Sequence, residues 1–374
     1  MIQRIGNISR GIDGSLAPCV QPNKKTVKKR RLERQVIRDY QFKALQHSDP
    51  QGTKALRSAI ASYVNLERGA HATPERILIL TSSQQALALC ALNLLDDGDH
   101  IFTENPMYQG ARQAFEAAGL IPVPIPVDQH GIRVDLLKQH STPAKAVSLT
   151  PSHQYPTGAT LSLERRLELI EWAEQNQAWI IEDDYDSEFH YAGKPTTCVQ
   201  GLDPYQRTIY IGTFTKSLFP SARIGYMILP EQLVAPMTTA RTLQDGHTAT
   251  LSQLTLTRFI ENGHFGAYIR QMRQLYAKRL TTLETLVRKH LNAFLEPVPP
   301  PGGMQMPCIL TCELDEERII SQAKQKDIVL ISLSGLYISA PDKTGFLLGF
   351  AAYTEREMEL AIETIREIFI ANTG

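Results

Sequence analysis

The chain has no net charge, no cysteine framework and no long apolar run, and each absence removes a class of function. Lysine plus arginine and aspartate plus glutamate each number 39, so no global field draws the chain to nucleic acid or anionic lipid. The five cysteines (Cys19, Cys90, Cys198, Cys308 and Cys312) are an odd number, and none forms a C-x-x-C pair. That argues against a disulfide scaffold or a zinc site and for reduced thiols. No apolar run approaches the roughly 20 residues a membrane span needs, and the N-terminus lacks a signal-peptide core. The expectation is a soluble, cytoplasmic protein. With 374 residues there is room for more than one lobe, since single cores stop growing near about 250–300 residues.

One stretch departs from charge balance. Between Lys24 and Arg38 lie Lys25, Lys28, Lys29, Arg30, Arg31 and Arg34, with Glu33 the only acid. Such a run suits a polyanion. It equally suits a solvated helix face whose buried stripe is Val27, Leu32, Val36 and Ile37, and the helical spacing favours that reading.

Most of the chemistry gathers in Ile209 to Met227, IYIGTFTKSLFPSARIGYM. Lys216 stands between two apolar, strand-like runs, where dehydration favours the neutral amine that imine formation needs. Thr213, Thr215 and Arg223 offer hydroxyls and a guanidinium fork, the inventory for a phosphate dianion. A surface lysine in a strand–loop–strand is the plainer alternative. Against it stands Asp183, in the apolar, acid-ended run IIEDDYDSEFHY. An aspartate there is often a turn former. A lysine imine with a buried carboxylate is also how proteins hold pyridoxal 5'-phosphate, lysine on the aldehyde and aspartate on the ring nitrogen.

Taken in order, TPSHQYPTG, IIEDDYDSEF and GTFTKSLFPSARIGYM resemble the aminotransferase-like domain of MocR/GabR-type bacterial transcriptional regulators, a branch of the fold-type-I, aspartate-aminotransferase-like enzymes. The likeness runs from about Asp49 to the C-terminus. It implies a PLP-dependent transferase fold of type I: a large α/β domain with a mostly parallel sheet and a smaller α+β C-terminal lobe. The expected partition is an arm and basic helix at 1–48, a large domain at 49–295 and a small domain at 296–374, with PVPPPGG marking the last boundary.

The same resemblance assigns roles. Lys216 would carry the cofactor, Asp183 would bind the ring nitrogen and Tyr185 the phenolic oxygen. Tyr108, after the strand expected to end at Phe102, would stack on the ring. Ser83 and Gln84 would join Thr213, Thr215 and Arg223 around the phosphate, in a strand-to-helix loop that also reads as an ordinary N-cap. Tyr155 stands where ordinary aminotransferases have an asparagine, and His153 lines the pocket. One departure touches the ligand. Family enzymes carry an arginine that grips the substrate carboxylate, and its position here is Leu347, with Arg112 as a candidate replacement.

Regulators of this type place a winged helix-turn-helix domain before the aminotransferase-like one, and the first fifty residues leave no room for it. The expectation is therefore a ligand-sensing domain that exchanges its lysine imine for one with an amine effector, works as a homodimer, and meets DNA only through a domain missing here. A free-standing aminotransferase acting on an amino acid or amine is the alternative. A nucleic-acid-binding protein resting on Lys24 to Arg38 is a weaker third.

Overall fold

The computed structural model describes residues 24–193 and 196–373, apart from the side chains of 24–30, 43 and 220. Strands β1 (Ile77–Leu80), β2 (His100–Asn105), β3 (Ile121–Asp128), β4 (Gly131–Ile132), β5 (Ala146–Leu149), β6 (Trp179–Asp184), β7 (Thr208–Thr213) and β8 (Gly225–Ile228) form one sheet. Their order is β1-β8-β7-β6-β5-β2-β3-β4. The central pairings are parallel, while β8 runs antiparallel to both β1 and β7. Parallel strands need both faces covered, and the side chains alternate accordingly. Leu78, Leu80, Ile209 and Ile211 pack on one face, whereas Ile77, Ile79 and Tyr210 pack on the other.

Local signals explain the helices that cover it. Thr53 accepts from Leu56 N to start the helix Lys54–Arg68, and Gly69, at φ 62, stops it. Leu56, Ile60 and Val64, one turn apart, are its buried stripe. Ser162 caps Leu163–Gln175 in the same way. A capping box of Thr354 and Glu357 opens Glu355–Ala371.

The C-terminal lobe holds an antiparallel sheet of β9 (Leu295–Pro297), β10 (Gln305–Leu310), β11 (Ile331–Ser332) and β12 (Gly345–Gly349), in the order β11-β12-β10-β9. The helix His264–His290 passes between the lobes. Its Phe265, Tyr268, Tyr276, Leu283 and Val287 share one buried cluster with Ile79 of the large sheet and Phe346 and Phe369 of the small lobe.

Several boundaries differ from expectation. Strand β2 continues through Asn105 rather than ending at Phe102. The apolar run Ile328–Leu333 reads as one strand, but only Ile331–Ser332 forms it, because Asp327 sits at φ 59 and a 3-10 turn begins at Ser334. The sequence from Met237 to His290 reads as helical with a break near Gly263; a further break at Gly246 gives the helices Glu231–Asp245, Thr250–Glu261 and His264–His290. The basic run forms the helix Lys24–Tyr40. Leu32 and Val36 are buried, but Ile37 is not, and Val27 lies outside the described side chains. Val36 packs with Ala44 and Leu254, while Asp39 meets Arg258 at 2.6 Å; Arg31, Arg34 and Arg38 face solvent.

Candidate active site

The topology gathers the predicted residues before any side chain is considered. The segments that follow β1, β2, β5, β6 and β7 carry Ser83, Tyr108, Tyr155, Tyr185 and Lys216. All leave the carboxyl edge of the sheet, where open α/β folds bind ligands. Because β8 is reversed, its beginning lies at the same edge, which brings in Arg223. Gly225 in β8 has to be small: a Cβ there would sit 3.0 Å from the Ser82 backbone carbon.

Strand alternation separates the three acids of β6. Glu182 and Asp184 face one way. Glu182 accepts from Val199 N and Gln200 N at 2.9 Å each, with Arg166 at 4.0 Å. Asp184 accepts from Arg68 Nε at 2.8 Å and from the Tyr210 hydroxyl at 2.6 Å. Burial alone would raise the Asp184 carboxyl, but the Arg68 charge and these hydrogen bonds hold it below the ordinary aspartate value. Asp183 points the other way. Burial, then the charges of Asp184 and Asp186, push it up to about 7 against the pull of Lys216. Its Oδ1 is buried and has no hydrogen-bond partner among the described residues.

Lys216 lies in the short helix Phe214–Ser217, opened by Thr213, whose hydroxyl oxygen accepts from Thr215 N at 3.2 Å. Thr215 Oγ1 is buried and unpartnered among the described residues. Arg223 is exposed, in a left-handed conformation at φ 46. On the β1 side, Ser82 caps the helix Ser83–Leu94, accepting from Gln85 N at 3.2 Å. Ser83 and Gln84 are thus the first two helical positions, whose N–H groups have no acceptor within a helix. The side chain of Gln84 donates to Gly110 O at 2.7 Å.

Three tyrosines stand on the ligand side. Tyr155 meets Tyr108 at 5.8 Å and Tyr185 at 6.2 Å between ring centroids, both nearly perpendicular. The Tyr155 loop is anchored by Glu104, a buried acid. Its Oε2 accepts from the Thr150 hydroxyl at 2.7 Å and Thr150 N at 3.0 Å, and Thr150 Oγ1 accepts from Tyr155 N at 3.0 Å. Burial raises Glu104 to about 7 despite these hydrogen bonds. His153 turns to Asp186 at 2.9 Å and stacks on His190. Arg112 Nε meets Glu116 Oε1 at 2.7 Å on the same helix. Leu347 is buried among Leu333 and Leu336. Sequence reasoning missed Arg68, Glu104 and Asp186. Asp186 lay within the run IIEDDYDSEFHY, and Glu104 lies at the end of β2.

The chain belongs to the aminotransferase class I and II family, whose model matches residues 23–365. Its fold is that of the fold-type-I enzymes. A multiple substrate aminotransferase from Thermococcus profundus is 28% identical and superposes with a TM-score of 0.86, over 97% of this chain and 93% of that one. Among relatives, a probable rhizopine catabolism regulatory protein MocR of Rhizobium meliloti is 36% identical over 86% of this chain. The pyridoxine biosynthesis regulator PdxR of Corynebacterium glutamicum is 29% identical over 86%. This chain spans 64% of the length of the Rhizobium protein and 69% of the Corynebacterium one. Family and fold imply pyridoxal 5'-phosphate, and the residues fit it. The orphaned Asp183 oxygen is a buried acceptor without a donor, and Thr215 Oγ1 is a second polar atom in the same need. Among the described residues no helix is long and apolar enough to cross a membrane, and no acid, histidine and cysteine cluster is arranged to hold a metal ion.

The phosphate assignment carries a prediction. Losing a charge-assisted contact costs roughly 1.5–3 kcal/mol, about ten- to a hundredfold in affinity. Arg223→Ala is expected to weaken binding of pyridoxal phosphate by that factor while leaving unphosphorylated pyridoxal unaffected. Equilibrium dialysis with both compounds checks this, and a mutant with full phosphate preference removes Arg223 from the site.

Proposed function

We propose that this chain is the ligand-sensing, pyridoxal-phosphate-binding part of a MocR/GabR-type transcriptional regulator, responding to a small amine. Lys216 would hold the cofactor's aldehyde carbon, Asp183 its ring nitrogen, and Tyr185 its phenolic oxygen. Tyr108 would cover the ring face, and the amides of Ser83 and Gln84, with Thr213, Thr215 and Arg223, would hold the phosphate. When bound, the cofactor supplies an electrophilic carbon for exchange with an amine and an electron sink. Asp183 keeps a proton at the ring nitrogen, Lys216 accepts or gives one at its amine, and the tyrosines exclude water.

The observation that carries the sensing reading is the environment of Leu347. A complete transamination needs two carboxylate substrates in turn, and family enzymes grip the carboxylate with an arginine at this strand position. Here the position is a buried leucine among leucines, and Arg112, the candidate replacement, is paired with Glu116. The relatives named as regulators support the same reading. A second copy of the chain as partner follows from the family, and DNA contact would fall to an N-terminal domain of the kind such regulators carry.

Loaded protein is expected to shift its visible absorbance when a suitable amine is added. With alanine and 2-oxoglutarate it is expected to form no more than one equivalent of keto-acid product per site. Sustained turnover with that pair would make the chain an aminotransferase and refute the sensor.

A further inference from the structure

We infer that the amine accepted here carries an apolar body in place of an α-carboxylate, an inference that rests on the sensing reading above. The ligand side of Asp183 is layered. Tyr185, two residues along the chain, meets the ring of Tyr155 at 6.2 Å, and Tyr155 packs against Leu333, Leu336 and Leu347. Those leucines are 4%, 5% and 2% exposed, so Tyr155 has an apolar backing. They form a small cluster of their own, separate from the main core, with Ile309 and Ile331 at its margin.

This wall is fixed to the large domain. Met107 N donates to Leu336 O at 3.0 Å, and Gln109 Nε2 to Gly335 O at 2.9 Å. Asn105 donates to Ser339 Oγ at 2.7 Å and accepts from Ile338 N at 2.8 Å. The 333–339 segment is therefore held against the same loop that presents Tyr108. A carboxylate placed against this leucine wall would lose water and gain no counter-charge from it, whereas a hydrocarbon there gains burial. The ligand class is a primary amine with a short aliphatic or aromatic body.

The test uses pairs that differ only in the carboxylate: 3-methylbutylamine against leucine, and 2-phenylethylamine against phenylalanine. Each is titrated into cofactor-loaded protein at equal free-base concentration, following the visible band. Both amines are expected to act at concentrations at least tenfold lower than their amino acids, and Leu347→Arg is expected to narrow or reverse the gap. If that variant does not fold, the pairs on the unmutated chain still decide. Amino acids acting as well as or better than the amines overturn this inference and leave the sensing reading standing. A band that no compound of either kind shifts overturns both.

Discussion

Replacing Lys216 by alanine is expected to abolish the visible band that the unmutated chain shows with pyridoxal phosphate. Lys216 is the lysine that the fold delivers to the carboxyl edge of β7, facing the same space as Asp183, whose carboxyl feels its charge. Phosphate contacts would remain in the variant, so weak binding of the free aldehyde should persist in dialysis. The covalent attachment and its absorbance should not. Two measurements therefore separate loss of the bond from loss of the site. An unchanged band would mean that a different lysine carries the cofactor, and the assignment of the whole edge would fail.

The largest effect on stability is expected at Arg68. Its guanidinium reaches Asp184 at 2.8 Å and Ser152 Oγ at 2.6 Å, and both partners of the ion pair are almost wholly buried. Removing one member of a buried pair leaves the other charge uncompensated, which costs about 3–5 kcal/mol. Exposed pairs contribute about 0–1 kcal/mol, and Arg112 with Glu116 is one of these. Urea unfolding of Arg68→Ala beside Arg112→Ala checks the contrast, and equal midpoints would show that Asp184 does not depend on Arg68. A site effect accompanies the structural one. Without Arg68 the negative charge of Asp184 would act unopposed on Asp183, whose carboxyl burial already raises to about 7.

Much of this site was legible because its parts are local. An apolar run ending in small polar residues marks where a strand leaves the sheet, and Ile77–Leu80 before Ser82, or Ile209–Ile211 before Lys216, needed no distant partner to be read. The Arg68–Asp184 pair had no such signal. Its members are 116 residues apart, and each looks like an ordinary charged residue until helix and strand are packed together. The direction of the Gln84 side chain had no local signal either, since it depends on Gly110, 26 residues away. The strand expected at Ile328–Leu333 failed for a local reason, since an apolar run does not reveal the left-handed turn at Asp327 that shortens it.

The helix His264–His290, with 27 residues, is about 40 Å long and ties the two lobes together. Near its start, the Tyr268 hydroxyl donates to Leu218 O at 3.3 Å, two residues beyond Lys216. Its far half, from Leu280 to Val287, is packed with the small lobe. The position of the small lobe is thereby linked, through one rod, to the backbone two residues from Lys216.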